Sequence, residues 1–340
     1  MCDLGDGIIL VTGGTGFVGR SLVNLLLERN LRVRLICRSL SKAESLFGSR
    51  VEVVGGDILD EATVGKACDG ARTVFHIAGL YAFGACVRRE LWDTNVVGTR
   101  NILEASREAG VKKVIHCSTA GVLFSPKSAA SRLDFPARIA RGCYYKGSKW
   151  SAERMALDAA RRGQHVTIAS PSAPIGAGDD RPTPTGRMIR DLIRREFPFY
   201  SNTGLNLIAV QDVAEGLWAV GCRGRSGERY ILGHSNVWLK DFLNKVAVQA
   251  GSGVRAPRIS LPWPMIALAG ILWDCGGQFL RRFDDRLCWE TAYFARKKQF
   301  FELESSYEPL GWRPKTSLES AISESIAWFN GRGGKTGPDR

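Results

Sequence analysis

The stretch IILVTGGTGFVG, residues 8–19, constrains the fold more than any other part of the chain. An apolar run ends in glycines at 13, 16 and 19. Apolar residues then recur at helical spacing (Val18, Leu22, Leu25, Leu26) over Phe17 to Arg29. A strand feeding a glycine turn and then a helix leaves unpaired N–H groups and the positive dipole end pointing at the turn, which suits a pyrophosphate. Gly13 permits the sharp turn, Gly16 a close approach of backbone to phosphate, and Gly19 tight helix–strand packing. The spacing G-x-x-G-x-x-G is one residue longer than the dinucleotide fingerprint. A glycine trio alone is a weak signal, but its strand–turn–helix setting in a first βαβ unit favours a binding loop over a mere turn. Gly13, Thr15, Gly16, Phe17, Val18 and Gly19 are therefore expected to hold a dinucleotide.

The same rhythm continues. RVRLIC (32–37), VEVV (51–54), TVFHIA (73–78), KVIHCST (113–119) and HVTIAS (165–170) read as strands, separated by helical stretches over roughly 60–69, 87–109 and 144–162. Strands alternating with helices imply an α/β fold, a doubly wound parallel sheet of Rossmann type. Near residue 171 the texture changes. PSAPIGAGDDRPTPTGR (171–187) reads as one long functional loop, and the shorter, mixed elements beyond it suit a smaller C-terminal substrate lobe. The expected division is a nucleotide-binding domain over 1–170, a mainly substrate-binding lobe over 171–330 with segments returning to the first core, and a flexible tail over 331–340.

The bulk composition excludes several classes. The 340 residues are 44% hydrophobic and 24% charged, as in globular proteins. Nine cysteines show no C-x-x-C pair and no metal-ligand spacing, so reduced, buried thiols in a cytosolic protein are expected, and no metal. The N-terminal apolar run is too short for a signal segment, which points to a cytoplasmic protein. The net charge of +13 is scattered in pairs without interleaved aromatics. Nucleic acid is thereby disfavoured, and phosphate-bearing ligands or an anionic membrane surface fit better. The segment WPMIALAGILWDCGGQFL (263–280) is interrupted by Asp274 and Gly276-Gly277. It reads first as a core helix. With Arg281, Arg282 and Arg286 beside it, peripheral contact with the cytoplasmic membrane is the second reading.

The end of the second strand discriminates between dinucleotides, because an acid there binds a ribose hydroxyl and an arginine accommodates a 2′-phosphate. Cys37-Arg38-Ser39 followed by Lys42 offers no acid. NADP(H) is therefore expected over NAD(H), held by Arg38 and Lys42. Asp57, with Ile58 beside it, closes the next strand and is placed to meet the adenine, although capping the following helix competes for its carboxylate.

Together, TGGTGFVG, Asp57, a strand ending in CST and a YxxxK motif at Tyr145 resemble the extended short-chain dehydrogenase/reductase family, over nearly the whole chain. That family includes sugar-nucleotide epimerases, dehydratases and dihydroflavonol reductases. TNVVGTRNILEA (94–105), PSAPIGAGDDRPTPTGRMI (171–189), NTGLNLIAVQDVAEG (202–216) and GERYILG (227–233) are similar to the hopanoid-associated sugar epimerase group. The resemblance implies a catalytic Thr119, Tyr145 and Lys149. Residues four apart share a helix face, so Tyr145 and Lys149 project into one site, whereas Tyr144 is matched by Ser148. A phenol titrates near ~10 and needs a neighbouring cation to exchange protons at neutrality. Ser118 is the fallback hydroxyl or a structural residue, Tyr144 a packing residue or pocket wall, and Lys146 a solvated side chain. His76 and His116 read as core or loop-anchoring histidines, Asn95 as a helix-embedded amide bonding to a neighbouring strand in preference to a residue next to the catalytic groups.

The resemblance further implies that Ala78 and Gly79 present backbone to the cofactor and that Pro171 and Ser172 contact its nicotinamide. Thr185, Arg187 and Asn202 are candidate substrate contacts by loop position, Arg187 for a phosphate. The first expectation is an NAD(P)-dependent epimerase of a sugar, nucleotide-sugar or lipid-linked sugar associated with hopanoid lipids. The alternative is an NADPH-dependent ketone reductase of dihydroflavonol-reductase type. A homodimer through the helices at 87–109 and 144–162 is expected in either case.

Overall fold

The computed structural model describes residue 4 and residues 7–124, 141–276 and 288–331. The tail after 331, the end of the 263–280 segment and Arg281, Arg282 and Arg286 lie outside these. The first half alternates as expected: β1 (Ile8–Thr12), α1 (Phe17–Glu28), β2 (Val33–Cys37), α2 (Leu40–Phe47), β3 (Glu52–Gly55), α3 (Glu61–Cys68), β4 (Ala71–His76), α4 (Arg88–Trp92), α5 (Gly98–Glu108), β5 (Lys113–Cys117), α6 (Tyr144–Arg161) and β6 (Val166–Pro171). After these come β7 (Ala173–Ile175), α7 (Pro184–Ile193), β8 (Phe199–Ser201), β9 (Gly204–Ala209), α8 (Val210–Arg223), β10 (Arg229–Leu232), β11 (Ser235–Trp238), α9 (Leu239–Ala250), β12 (Ile259–Leu261), α10 (Trp263–Gly276), α11 (Trp289–Phe294), α12 (Glu304–Leu310) and α13 (Leu318–Gly331).

Seven strands form one parallel sheet in the order β10-β6-β5-β4-β1-β2-β3. Its strands are apolar on both faces, as a sheet covered twice requires. Ile9 and Val11 of β1 pack toward α1 and α8, while Leu10 packs toward α3, α5 and α6. The order reverses between β1 and β4, the switch point at which an open α/β sheet binds its ligand beyond the strand ends. A second, smaller core joins β7, β9, α7, α9 and α13.

Four expectations are corrected. The 171–187 stretch is not one loop: it contains β7 and the start of α7. Thr183 accepts the Gly186 N–H at 3.1 Å and Pro184 occupies the first turn, which together start a helix there. The helix over 87–109 is interrupted by a π-helical turn at Asp93–Val97. Helix α10 is not a core helix. Of its side chains only Ala267 and Gly270 are buried, where Cys288 backbone lies close, while Met265, Leu268, Ile271 and Leu272 stand exposed at 46–62%. Finally, the thiols are not uniformly buried and reduced: Cys86 and Cys275 are exposed and Cys222 is disulfide-bonded.

The first turn leaves no space for side chains. Gly13 has φ +70, and a Cβ on it would come within 2.7 Å of the Ala78 nitrogen. A Cβ on Gly19 would strike the Gly13 carbonyl. Replacing Gly19 with Ala is expected to lower stability by about 1–3 kcal/mol, read by thermal unfolding; an unchanged midpoint would show that the turn yields freely.

Candidate active site

Helix α6 carries the tyrosine and lysine that the sequence marks for proton transfer. Tyr145 is 8% exposed, and its hydroxyl is hydrogen-bonded to the side chain of Thr119. Thr119 caps the short 3₁₀ turn after β5, accepting the Gly121 N–H at 3.2 Å. One turn along α6, Lys149 Nζ donates to the Cys117 carbonyl at 2.6 Å, at the end of the same strand. The hydroxyl, phenol and ammonium expected to act together are thus gathered at the C-terminal edge of β5. Burial pushes the phenol well above its usual range, the Tyr81 phenol adding to this and the Thr119 bond opposing it. Burial also lowers the Lys149 ammonium, against the Cys117 and Glu153 side chains, which raise it.

Ser118 is turned elsewhere: its hydroxyl donates to Glu153, which is 1% exposed and bonded to Arg229 Nε at 2.6 Å. Ser118 thus takes the structural role. Asn95 sits in the π-helical turn. It accepts the Leu80 N–H at 2.7 Å and donates to the Leu80 carbonyl at 3.1 Å and to Ser148 Oγ at 2.9 Å. An amide bonded to the chain beyond β4 is close to the role expected of it. His76 is a core histidine, held between Thr12 and Thr99 at 2.8 and 2.9 Å, and burial lowers its imidazole to about 3. His116 is buried beside it.

Lys146 is not solvated. It is fully buried, and its ammonium donates to the Phe124 carbonyl at 2.9 Å and lies over the Phe124 and Tyr293 rings. Burial lowers it to about 8. The first turn of α6 is enclosed by the chain after β5 and by α11, so the side chain has no path to water. Tyr144 packs with Phe83 and Leu91, with the Arg88 guanidinium 5.9 Å above its ring.

Sequence reading missed the aromatic enclosure of Tyr145. Between ring centres, Tyr81 lies 4.6 Å from it and Phe83, nearly perpendicular, 5.6 Å from it, and Phe294 of α11 is 5.9 Å from Phe83. Glu153 had a findable signal, four residues after Lys149 on the same face. Tyr81 and Phe294 had none, since they come from distant segments.

At the glycine turn, α1 begins at Gly16 with no side-chain cap. A Cβ on Gly79 would lie 3.6 Å from Lys149 Nζ, and the Ala78 N–H donates to Thr12 Oγ1 at 3.0 Å. Arg38 is 76% exposed and 3.8 Å from Asp57, and Lys42 reaches Asp180 at 3.4 Å. The Ile58 side chain is buried against Gly98. Pro171 ends β6, and the buried Ser172 hydroxyl has no hydrogen-bond partner among the described residues. Thr185 and Arg187 lie in α7 and Asn202 in the turn between β8 and β9, and none of the three joins the contacts around Tyr145 described above.

Residues 9–233 match the NAD dependent epimerase/dehydratase family. The chain belongs to that family. It is 34% identical over 331 residues to a protein of Synechocystis sp. provisionally named a dihydroflavonol 4-reductase, covering 95% of this chain and 94% of that one. It is 29% identical to sterol demethylase protein B of Methylococcus capsulatus, covering 95% and 98%. The crystal structure of gox2253 superposes with a TM-score of 0.82 at 34% identity, covering 96% and 99%. The protein is an NAD(P)-dependent enzyme of the extended short-chain dehydrogenase/reductase kind, among relatives that are reductases, dehydrogenases and epimerases. Replacing Tyr145 with Phe is expected to lower turnover by about 10²–10⁴-fold with NAD(P)H binding, read by fluorescence titration, retained. Full turnover in that variant would remove Tyr145 from proton transfer.

Proposed function

We propose that the enzyme transfers hydride between NADP(H) and a carbinol or carbonyl carbon of a largely apolar, ring-bearing substrate, as a ketone reductase or its reverse. The observation that carries this reading is the aromatic cluster around Tyr145, in which Tyr81 and Phe83 meet its ring and Phe294 packs on Phe83. Such a wall stacks on flat apolar rings and offers few partners to sugar hydroxyls. The names of the Synechocystis and Methylococcus relatives, a flavonoid and a sterol enzyme, agree with such a substrate.

The residues present fit a dinucleotide. The turn at Gly13, Thr15, Gly16, Phe17, Val18 and Gly19, kept tight by its glycines, would seat the pyrophosphate, and Arg38 and Lys42 a 2′-phosphate. Asp57 and the Ile58 backbone would border the adenine, and Ala78 and Gly79 would present their backbone to the cofactor. The unpartnered Ser172 hydroxyl, beside Pro171, would meet the nicotinamide. The bound cofactor supplies the hydride and, when oxidised, a positive charge. Thr119 orients the substrate oxygen, and Tyr145 gives that oxygen its proton as hydride arrives or takes it as hydride leaves. Burial holds the isolated phenol high, so Lys149 and the cofactor's charge must bring it into range. On this reading the C-terminal segments from 171 onward close over the substrate.

Epimerisation of a sugar, nucleotide-sugar or lipid-linked sugar in hopanoid metabolism is the second reading. It is favoured by the resemblance and by Arg187, a half-buried cation on α7 suited to a substrate phosphate. Denaturing the purified protein and identifying any released nucleotide separates the two. Stoichiometric NAD supports epimerisation, while an empty site that prefers NADPH to NADH supports reduction.

The same reading takes α10 to rest on an anionic bilayer. No helix among the described residues is long and apolar enough to cross a membrane. Yet α10 exposes four large apolar side chains, its one acid, Asp274, is engaged with the Trp289 N–H, and cationic Arg296 lies 5.1 Å over Trp263 at its start. Flotation with anionic but not neutral liposomes is expected, and should be lost in Leu268→Glu/Leu272→Glu. No flotation with either, or release into a larger homo-oligomer by light scattering, would assign the face to something else. The homodimer through α5 and α6 is read from the same light-scattering experiment.

A further inference from the structure

Helix α6 begins without a cap of its own. Cys143, at its N-cap position, makes no side-chain hydrogen bond to the first turn, whose N–H groups need acceptors. The acceptor arrives from far along the chain. Glu290 of α11, fully buried, takes the Tyr145 N–H on Oε2 at 3.1 Å and the Lys146 N–H on Oε1 at 2.9 Å. A carboxylate at this point also faces the positive end of the helix dipole.

Glu290 is itself firmly held. The neighbouring Trp289 N–H donates to Asp274 at 3.0 Å, Trp289 Nε1 donates to the Arg141 carbonyl at 2.9 Å, and Trp263 Nε1 to the Ala292 carbonyl at 2.9 Å. The same short helix carries Phe294 into the aromatic wall. One element therefore both walls the pocket and grips the amide of the residue that moves the proton. An ordinary cap needs only a neutral side chain at the helix start. A buried carboxylate supplied by another segment costs more to desolvate and is retained here on the catalytic residue's own amide.

We propose that Glu290 is a positioning residue, which makes the placement of the Tyr145 phenol on Thr119 depend on α11 being seated. This rests on Tyr145 being the proton carrier. When α11 is home, both carboxylate oxygens hold the first turn of α6. When α11 lifts, or when the carboxyl takes up a proton, the grip weakens and the phenol loses its fixed register. The groups facing the carboxyl are the Lys146 ammonium and Cys143 at the start of α6, Cys288 before α11, and the Tyr145 phenol, with Asp274 of α10 acting on Cys288. Burial raises this carboxyl to about 7, against the three backbone N–H groups and Lys146, which lower it. The grip is therefore strongest above neutrality and weakens as pH falls through about 7.

The test uses the full chain labelled with 3-fluorotyrosine, and the Tyr145 signal in the fluorine NMR spectrum is assigned by its loss in Tyr145→Phe. In the unsubstituted protein that signal is expected to shift between pH 6 and 8. In Glu290→Gln the shift should vanish, and in Glu290→Asp it should return. Amide exchange over 143–150, corrected for the intrinsic rate, should be about ten-fold or more faster in Glu290→Gln at pH 8, as expected for losing bonds to a charged acceptor. A Tyr145 signal that does not move with pH in the unsubstituted protein, or that titrates identically in Glu290→Gln, would overturn the proposal. If Glu290→Gln fails to fold, the pH profiles of the unsubstituted protein and of Glu290→Asp still decide it. Because the readout is the ring of Tyr145 and not turnover, its failure is distinct from failure of Tyr145 in catalysis.

Discussion

Everything else in the molecule is arranged around a contact between two stretches of bare backbone. Gly13 turns the chain at the end of β1, and Gly19, in the first turn of α1, lies against its carbonyl. That contact fixes how closely α1 packs on the turn that follows β1. It also places the positive helix end over the switch point between β1 and β4. The ends of β4, β5 and β6, followed by Gly79, Thr119 and Ser172, lie along the same edge of the sheet, where such a switch point opens a crevice.

Across that crevice, α6 meets β5 at two levels. Lys149 is tied to the Cys117 carbonyl, and one turn further on Glu153 joins Ser118 to Arg229 of the edge strand β10. One helix face therefore carries the Tyr145 and Lys149 pair at its start and the Glu153 bonding behind it. The side chains are chosen by depth: a phenol near the pocket, an ammonium at the strand end, and a paired carboxylate where no water reaches.

What the sequence made legible follows from the range of the interactions involved. Strands β1 to β6 could be read because burial on both faces leaves uninterrupted apolar runs. Tyr145 and Lys149 could be paired because four residues is one helical turn. Local patterning fails where the partner is remote. Lys146 looks like a surface lysine beside Tyr145, and only Phe124 and Tyr293 closing over it make it a buried one. The apolar composition of α10 suggests a core helix, but whether anything covers an apolar helix is a fact about its surroundings. The capping role of Thr183 competes with the loop chemistry of the prolines and glycines around it, and the cap prevails.

The π-helical turn between α4 and α5 has a consequence for the amide it carries. A π turn accommodates one residue more than the α ladder allows. The buried positions Leu91, Asn95, Gly98 and Ile102 nevertheless follow one another through α4, the turn and α5 at ordinary helical spacing. The wider ring is thus absorbed without displacing the core face, and within it the Asn95 amide clasps the chain beyond β4 on both its oxygen and its nitrogen.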